Sequence, residues 1–365
     1  MKVGFAPSDW VIGLDLSHIS DEAIPMGSVG FQRIGQYLPY LSVDHTVGIL
    51  AFDKKEGVFG IIRVDNPDMF HNPDDRLNVE VSRDDISLDC DVIYMQRNMG
   101  EQTPFQILEA RANGQVVIND IDDVIWDVDE RNYAHDNLET PGNTTENYMR
   151  ALEASSAVVA STDYIKDHLL ETNPYTATIK NYIDLNRFTK RVHKDGPIRV
   201  GWVGSTAHRS GDLEILKPMG SEFRWVHGGH AEWTPYFGDE IGAKNVITFP
   251  SCLHRLYPKM FKFDVGVVPL TDVPFNIGKS YLKGLEYAAA GVPFIASDVG
   301  EYSKFSMGLL AATEDDWRAQ IHQLEHLEVR QREADRNNLL VKQFDTETVG
   351  VVLFEQFLKM AASLE

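Results

Sequence analysis

Short apolar runs alternate with amphipathic stretches along the chain, the pattern of repeated βα units. In the first half the runs predict strands at Lys2–Ala6, Thr46–Ala51, Val92–Met95, Val116–Asn119, Ala157–Ala160 and Thr178–Asn181. The stretches between them predict helices at Phe31–Leu41, Pro104–Ala112, Thr144–Ala154 and Thr162–Leu170, with Asn113-Gly114 as a C-cap. Several strands end in polar residues at the carboxyl side, where open α/β sheets place ligands.

A polar, turn-rich stretch, Thr189–Pro197, interrupts the alternation and reads as a linker. Strands then follow at Ile198–Val203, Phe223–Val226, Val246–Phe249, Val265–Pro269 and Pro293–Ala296. Helices fit Asp212–Lys217, Leu253–Phe261, Ser280–Ala290 and Glu314–Leu340. A last apolar stripe, Val351, Val352, Phe354, Phe357, Leu358 and Ala361, marks a helix within Thr346–Ala362. The pattern therefore divides into residues 1–192, residues 197–345 and a closing helix at 346–365.

Composition and charge narrow the function. The 365 residues carry 34 basic and 55 acidic side chains, a formal net charge of −21. Such a balance argues against nucleic acid and anionic membrane as partners, since both are gripped by Lys and Arg. It leaves room for a local basic pocket that holds one small anion. No run of 18 apolar residues is present, which argues against a membrane span, and Met1–Ala6 enters a strand without a signal-peptide h-region. Cys90 and Cys252 form neither a disulfide framework nor a zinc cluster. The expectation is a cytoplasmic protein.

Anion chemistry concentrates at one place. A buried strand (Val265–Pro269) and a loop lead to a helix opening at Gly278-Lys279-Ser280, followed by Gly291-Val292-Pro293 and another strand. Lys279, Lys283 and Glu286 are spaced by four and three, which places them on one helical face. A solvated ion-pair face is one reading of this spacing. Against it, the rest of the helix is small and apolar, and a cation at a helix N-terminus asks for an anionic partner.

These residues carry a resemblance. Pro269-Leu270, then Lys279-Ser280-Tyr281-Leu282-Lys283-Gly284-Leu285-Glu286-Tyr287, then Gly291-Val292-Pro293-Phe294-Ile295-Ala296-Ser297 resembles the donor-site segment of the retaining, GT-B-fold glycosyl transferases group 1. Two more segments extend it. Ala157–Thr162 with Ile183–Phe188 resembles the end of that family's first domain, and Ile198–Arg209 resembles the strand and glycine turn opening its second. The resemblance covers roughly residues 90–300.

It implies an α/β fold of two Rossmann-like βα domains facing an interdomain cleft, with the C-terminal helix crossing back to the first domain. The first domain would serve the acceptor and the second the nucleotide sugar. It implies that Glu286 bonds the donor ribose and that Lys279 or Lys283 lies near the diphosphate, beside Ser280. At the turn, Gly204 allows close backbone approach, and Ser205, His208 and Arg209 are placed to reach phosphate oxygens. Gly30 and Arg33, in a second glycine-rich turn, are weaker candidates. One departure stands out: Gly278 occupies the position, eight residues before Glu286, where many members carry a glutamate.

Asn119–Asp129 is an acidic run after a strand. It offers Asp122 or Asp123 for action on an acceptor hydroxyl, though a polar loop with an N-cap aspartate explains it nearly as well. Asp-x-Asp occurs at Asp89/Asp91, Asp120/Asp122 and Asp127/Asp129, too often in so acidic a chain to mark a metal site. His227 and His230 lack further ligands at suitable spacing, so a Gly-Gly turn after a strand explains them better than zinc.

The expected function is thus transfer of a sugar, with retention and without a metal, from a nucleoside diphosphate sugar to an acceptor hydroxyl. UDP is expected over GDP, with no tightly bound cofactor. The hydroxyl belongs to a glycan, a lipid-linked group, a protein or a small molecule. The catalytic candidates are Asp122, Asp123, Arg209 and Lys283. A nucleotide-sugar epimerase of the same fold, or a nucleotide-binding scaffold without turnover, remain as alternatives.

Overall fold

The computed structural model describes residues 1–6, 31–53, 58–64, 81–87, 90–132, 135, 138–140, 143–204, 211–229, 234–250 and 262–364. The chain forms two compact units. Unit 1 comprises Met1–Asp123, Leu138–Asn181 and Thr346–Glu365, and unit 2 comprises Val124–Asn137 and Tyr182–Asp345.

In unit 1 the strands are β1 (Lys2–Ala6), β2 (Asp44–Asp53), β3 (Val58–Val64), β4 (Val81–Ser87) and β5 (Val92–Gln96). They continue with β6 (Val116–Ile121), the two-residue pair β7 (Glu139–Thr140) and β8 (Asn143–Thr144), then β9 (Ala157–Ala160) and β10 (Thr176–Thr178). The main sheet has eight strands in the order β10-β9-β6-β5-β1-β2-β3-β4. The six from β10 to β2 run parallel, while β3 and β4 add antiparallel at the β2 edge. The alternation pattern had not predicted β3 and β4. It had placed β10 two residues late. The central strands β5 and β6 are buried throughout, as strands covered on both faces must be.

Phe31–Leu41, expected as one helix, is a π-helical turn at Phe31–Gly35 and a 3₁₀ turn at Leu38–Tyr40. Pro39 sits at the start of the second turn and lacks the N–H that an uninterrupted α-helix would use. The C-terminal helix, Val351–Ala361, belongs to unit 1 and buries Val351, Phe354, Phe357, Leu358 and Ala361. Phe354 stacks on Tyr37 at 4.7 Å and packs against Tyr94 at 5.1 Å. Glu355 fastens the helix by accepting the Ser42 hydroxyl at 2.7 Å and 2.8 Å.

Unit 2 contains β11 (Arg199–Val203), β12 (Arg224–Gly229), β13 (Val246–Pro250), β14 (Val265–Val268), β15 (Phe294–Ser297) and β16 (Leu309–Ala311). All six are parallel, in the order β13-β12-β11-β14-β15-β16. The chain order reverses between β11 and β14, and open α/β sheets bind ligands at such a switch point. Alternating residues feed two cores: Val200 and Trp202 join Trp225, Phe237 and Trp317, while Val203 joins Phe263, Leu285, Tyr287 and Phe294.

The expected helix Glu314–Leu340 is two helices, Glu314–Glu325 and Leu327–Leu340, parted at His326. A buried arginine explains the break. Arg330 turns back and donates to the carbonyls of Leu324 and Glu325, which would otherwise end the first helix unsatisfied. Among the described residues no helix is long and apolar enough to cross a membrane.

Candidate active site

In unit 2 the carboxyl end of β11 is tied to the helix Leu282–Ala289 through both backbone groups of Val203. The Val203 amide donates to the Tyr287 hydroxyl at 3.3 Å, and the Lys283 ammonium donates to the Val203 carbonyl. The Lys283 ammonium also lies 5.7 Å from the Trp202 ring. Gly204, next along the chain, is held from the other side. Its amide donates to the Gly228 carbonyl at 3.0 Å, and its own carbonyl pairs with His227 Nε2 at 3.0 Å.

His227 works as a neutral, directed link. A carbonyl only accepts, so Nε2 carries the proton, and Nδ1 accepts from the Thr234 hydroxyl at 2.9 Å. Burial lowers the imidazole pKa, opposed by the Gly204 carbonyl and assisted by Lys283. The ring lies beside those of Trp202 at 5.6 Å and Phe237 at 5.1 Å, which also stack on each other at 5.5 Å. Glycine is required at 229, because a Cβ there would lie 2.6 Å from the His227 ring. His227-Gly228-Gly229 is therefore a packing device that holds Gly204, while His230 lies outside the described residues. Among the described residues no group of three or more His, Cys, Asp or Glu could hold a metal ion.

The helix itself corrects one expectation. It begins at Leu282 with Tyr281 as its N-cap, so Lys279 and Ser280 precede it and do not share its face. The short helix Pro274–Ile277 comes before them, and the Lys279 ammonium lies 4.2 Å from the Phe275 ring centroid. The Gly284 amide, near the helix start, is already used by the Tyr302 hydroxyl at 3.2 Å. Lys283 and Glu286 remain on the helix three residues apart, and Lys279, Ser280, Lys283 and Glu286 are all half-buried. Gly284 lets this helix sit close to β15, since a Cβ there would meet Phe294 at 2.9 Å.

Asp212 organises the other lip of the same strand ends. Buried at the start of the 3₁₀ helix Asp212–Met219, its Oδ1 accepts the Thr271 amide and hydroxyl, each at 2.8 Å, and Asn276 Nδ2 at 2.7 Å. This fixes the loop after β14 that leads to Lys279. From the sequence Asp212 reads only as the first residue of a helix, because its partners lie 59 and 64 residues further along the chain. Ser205, His208 and Arg209 lie outside the described residues, as does Gly30.

Unit 1 presents a different chemistry at the ends of β5 and β6. Arg33 is buried, and its guanidinium is committed to Asp120 at 2.7 Å, the Ile179 carbonyl at 2.8 Å and Asn181 at 3.0 Å. Burial works against that charge, yet Asp120 raises the arginine pKa overall. The Tyr94 hydroxyl donates to the same Asp120. Arg33 is thus an interior pillar of the sheet.

Asp122 and Asp123 follow β6 and meet Arg97, which follows β5. Arg97 Nη2 donates to Asp123 Oδ2 at 2.6 Å and stands 3.3 Å from Asp122 Oδ1, which makes no hydrogen bond. Burial raises the Asp122 pKa to about 7, against the pull of Arg97 and with the push of Asp123 and Asp120. Arg97 is also the one non-glycine among the described residues with positive φ, at 50°, a conformation costing about 1–3 kcal/mol. Sequence reasoning missed it. The available signal was a polar Gln96-Arg97-Asn98 directly after an apolar central strand.

Comparison with known proteins bears on the fold. No family model matches the sequence, and no curated protein matches it. Solved structures do match in fold. Anabaena HepE in complex with UDP aligns over 99% of this chain and 100% of its own, with a TM-score of 0.63 at 14% identity. An Escherichia coli structure described as trehalose-6-phosphate bound with UDP-2-fluoro glucose aligns over 98% and 99%, with a TM-score of 0.54 at 10% identity. AviGT4, a glycosyltransferase involved in avilamycin A biosynthesis, aligns over 99% and 98%, with a TM-score of 0.52 at 13% identity. The chain has the α/β fold of the GT-B glycosyltransferases, built from two βα units.

Proposed function

We propose that this protein is a glycosyltransferase that takes a sugar from a nucleoside diphosphate sugar, UDP in preference to GDP, and passes it with retention to an acceptor hydroxyl. The observation that carries the reading is the Lys283–Val203–Gly204 arrangement at the switch point of unit 2. It combines a cation, a glycine turn and a half-buried Glu286 one helical turn further on. A diphosphate against that turn would find the Lys283 charge, and Glu286 is set to accept hydroxyls of the ribose. Structures similar in fold are complexes with UDP and with UDP-glucose, which favours a UDP-linked donor.

In this reading the two domains are residues 1–192 on the acceptor side and residues 197–345 on the donor side, with 346–365 returning to the first. Charge developing on the leaving diphosphate is stabilised by Lys283, Lys279 and Arg209, preorganised before the reaction begins. The backbone of Gly204 and the side chains of Ser205, His208 and Ser280 complete the donor site. Asp122 or Asp123 receives the acceptor proton. The chemistry uses no metal. The acceptor class is an alcohol of a glycan, lipid-linked group, protein or small molecule.

Calorimetric titration of the wild type and Lys283→Ala with UDP, GDP and ADP tests this. The expected result is UDP binding by the wild type, weakened about 10–100-fold in the variant by loss of a charge-assisted contact. Absence of binding by all three nucleotides would overturn the donor-site assignment. An epimerase would release no free nucleotide when an acceptor alcohol is supplied, whereas a transferase does.

A further inference from the structure

We propose that Arg97 is a positioning residue that splits the roles of two adjacent carboxylates, binding Asp123 and leaving Asp122 to take the proton of the acceptor hydroxyl. This rests on the glycosyltransferase reading above and extends it to a division of labour inside unit 1.

The asymmetry of the contacts is the first argument. Arg97 Nη2 makes a short charge-assisted hydrogen bond to Asp123 at 2.6 Å, while Asp122 receives only a 3.3 Å approach and its Oδ1 bonds to nothing. Paired carboxyls whose surroundings differ in this way take different roles, one charged and one exchanging a proton. The backbone is the second argument. Arg97 is held in the left-handed region, with its amide donating to the Asp120 carbonyl at 3.3 Å, and that conformation coincides with its contact to both aspartates. Strain of this kind persists where the surroundings over-determine it, typically at functional sites.

The neighbours of Asp122 are consistent. Asp123 and Asp120 face it with negative charge, and Arg97 and the deeper Arg33 face it with positive charge. From the helix Thr145–Ala154, the Tyr148 hydroxyl donates to the Asp120 carbonyl at 2.9 Å and is kept protonated chiefly by burial. The Ser161 hydroxyl, after β9, donates to the Asp122 carbonyl at 2.9 Å and fixes its backbone. Burial then holds the Asp122 carboxyl near neutrality, where a general base is most effective.

The step balances simply. The acceptor oxygen forms a bond to the anomeric carbon, the bond from that carbon to the diphosphate oxygen breaks with its electron pair leaving on the diphosphate, and the acceptor proton passes to Asp122. With water as the acceptor the products are free sugar and nucleoside diphosphate.

Carbon-13 NMR titration of aspartate carboxyls, paired with UDP-glucose hydrolysis across pH 5–9, tests the proposal. The resonance lost in Asp122→Asn should titrate near pH 7 in the wild type, and hydrolysis should rise along the same limb. Arg97→Gln removes the opposing cation, so both midpoints should move upward together by about one pH unit, whereas Arg97→Lys should move them less. Asp122→Asn should lower hydrolysis at least about tenfold and flatten the limb. A wild-type midpoint below pH 5, or a hydrolysis limb that stays in place while the carboxyl titration moves, would overturn the proposal. So would UDP binding with no UDP-glucose turnover by the wild type. If Arg97→Gln does not fold, Arg97→Lys carries the same comparison. An Asp122 titration near pH 7 without UDP binding would count for the carboxyl pair and against the donor site.

Discussion

In unit 1 the carboxyl ends of β5 and β6 hold their charges within the protein: Arg33 on Asp120, and Arg97 on Asp123 beside Asp122. In unit 2 the corresponding ends of β11 and β12 are organised through backbone groups. Lys283 donates to a carbonyl, Tyr287 receives an amide, and a neutral histidine joins the Gly204 carbonyl to the Thr234 hydroxyl. Both units repeat the same βα plan, so the difference lies in what each strand end is asked to do. A carboxylate beside an arginine satisfies that arginine and builds the domain. A lysine on a carbonyl orders the strand end through the backbone instead. In a chain of net charge −21, such a placement matters more than the total.

The comparison breaks most decisively through Asp120. Asp120→Ala would leave Arg33 buried without its partner, at a cost of about 3–5 kcal/mol, and calorimetry should show the unfolding of unit 1 shifted well below that of unit 2. A loss under about 1 kcal/mol would mean that the pair is not structural. Phe354→Ala should approach the same size, about 3–5 kcal/mol, because it empties the ring cluster of Tyr37 and Tyr94 against the C-terminal helix. Equal loss of hydrogen-exchange protection in both units would contradict the helix belonging to unit 1.

On the unit 2 side, Gly229→Ala should push the His227 ring from its place and cost about 1–3 kcal/mol, with a matching loss of UDP affinity. Unchanged UDP titration would separate the Gly204 turn from the donor. The smallest effect belongs to Asp122→Asn, and it depends on pH. The folded-state pKa is raised to about 7, so the stability from this carboxyl is fully present below about pH 4 and is lost as pH rises through 7. Denaturation curves should show the variant gaining on the wild type by about 1 kcal/mol per pH unit from pH 5 to pH 7 and levelling off above that. A gain at pH 4 instead would reverse the sign of the argument.

Much of this was legible in the residues. The apolar runs located β1, β5, β6 and β9 within a residue or two, because strands buried on both faces must be continuously apolar. Lys283 and Glu286 stayed on one helical face as their spacing required. Lys279 did not, because the helix it was assigned to begins at Leu282, with a separate turn before it. The strand β4 escaped because Val81–Ser87 carries Arg83, Asp84 and Asp85, a pattern too polar to read as a sheet element, whereas β3, Val58–Val64, is an apolar run that the sequence analysis left unassigned.

The alternation of apolar and polar positions, a local property of the chain, determined the βα class, the approximate elements and the short list of cations to examine. Tertiary structure decided which partner each charge meets and how deeply it is buried. Arg33 and Arg97 look alike in sequence, yet one is sealed inside with Asp120 and the other stands over two aspartates 25 and 26 residues further along. Ion pairing and burial arise between residues distant in sequence, and the resulting protonation states exist only once the strand ends have come together.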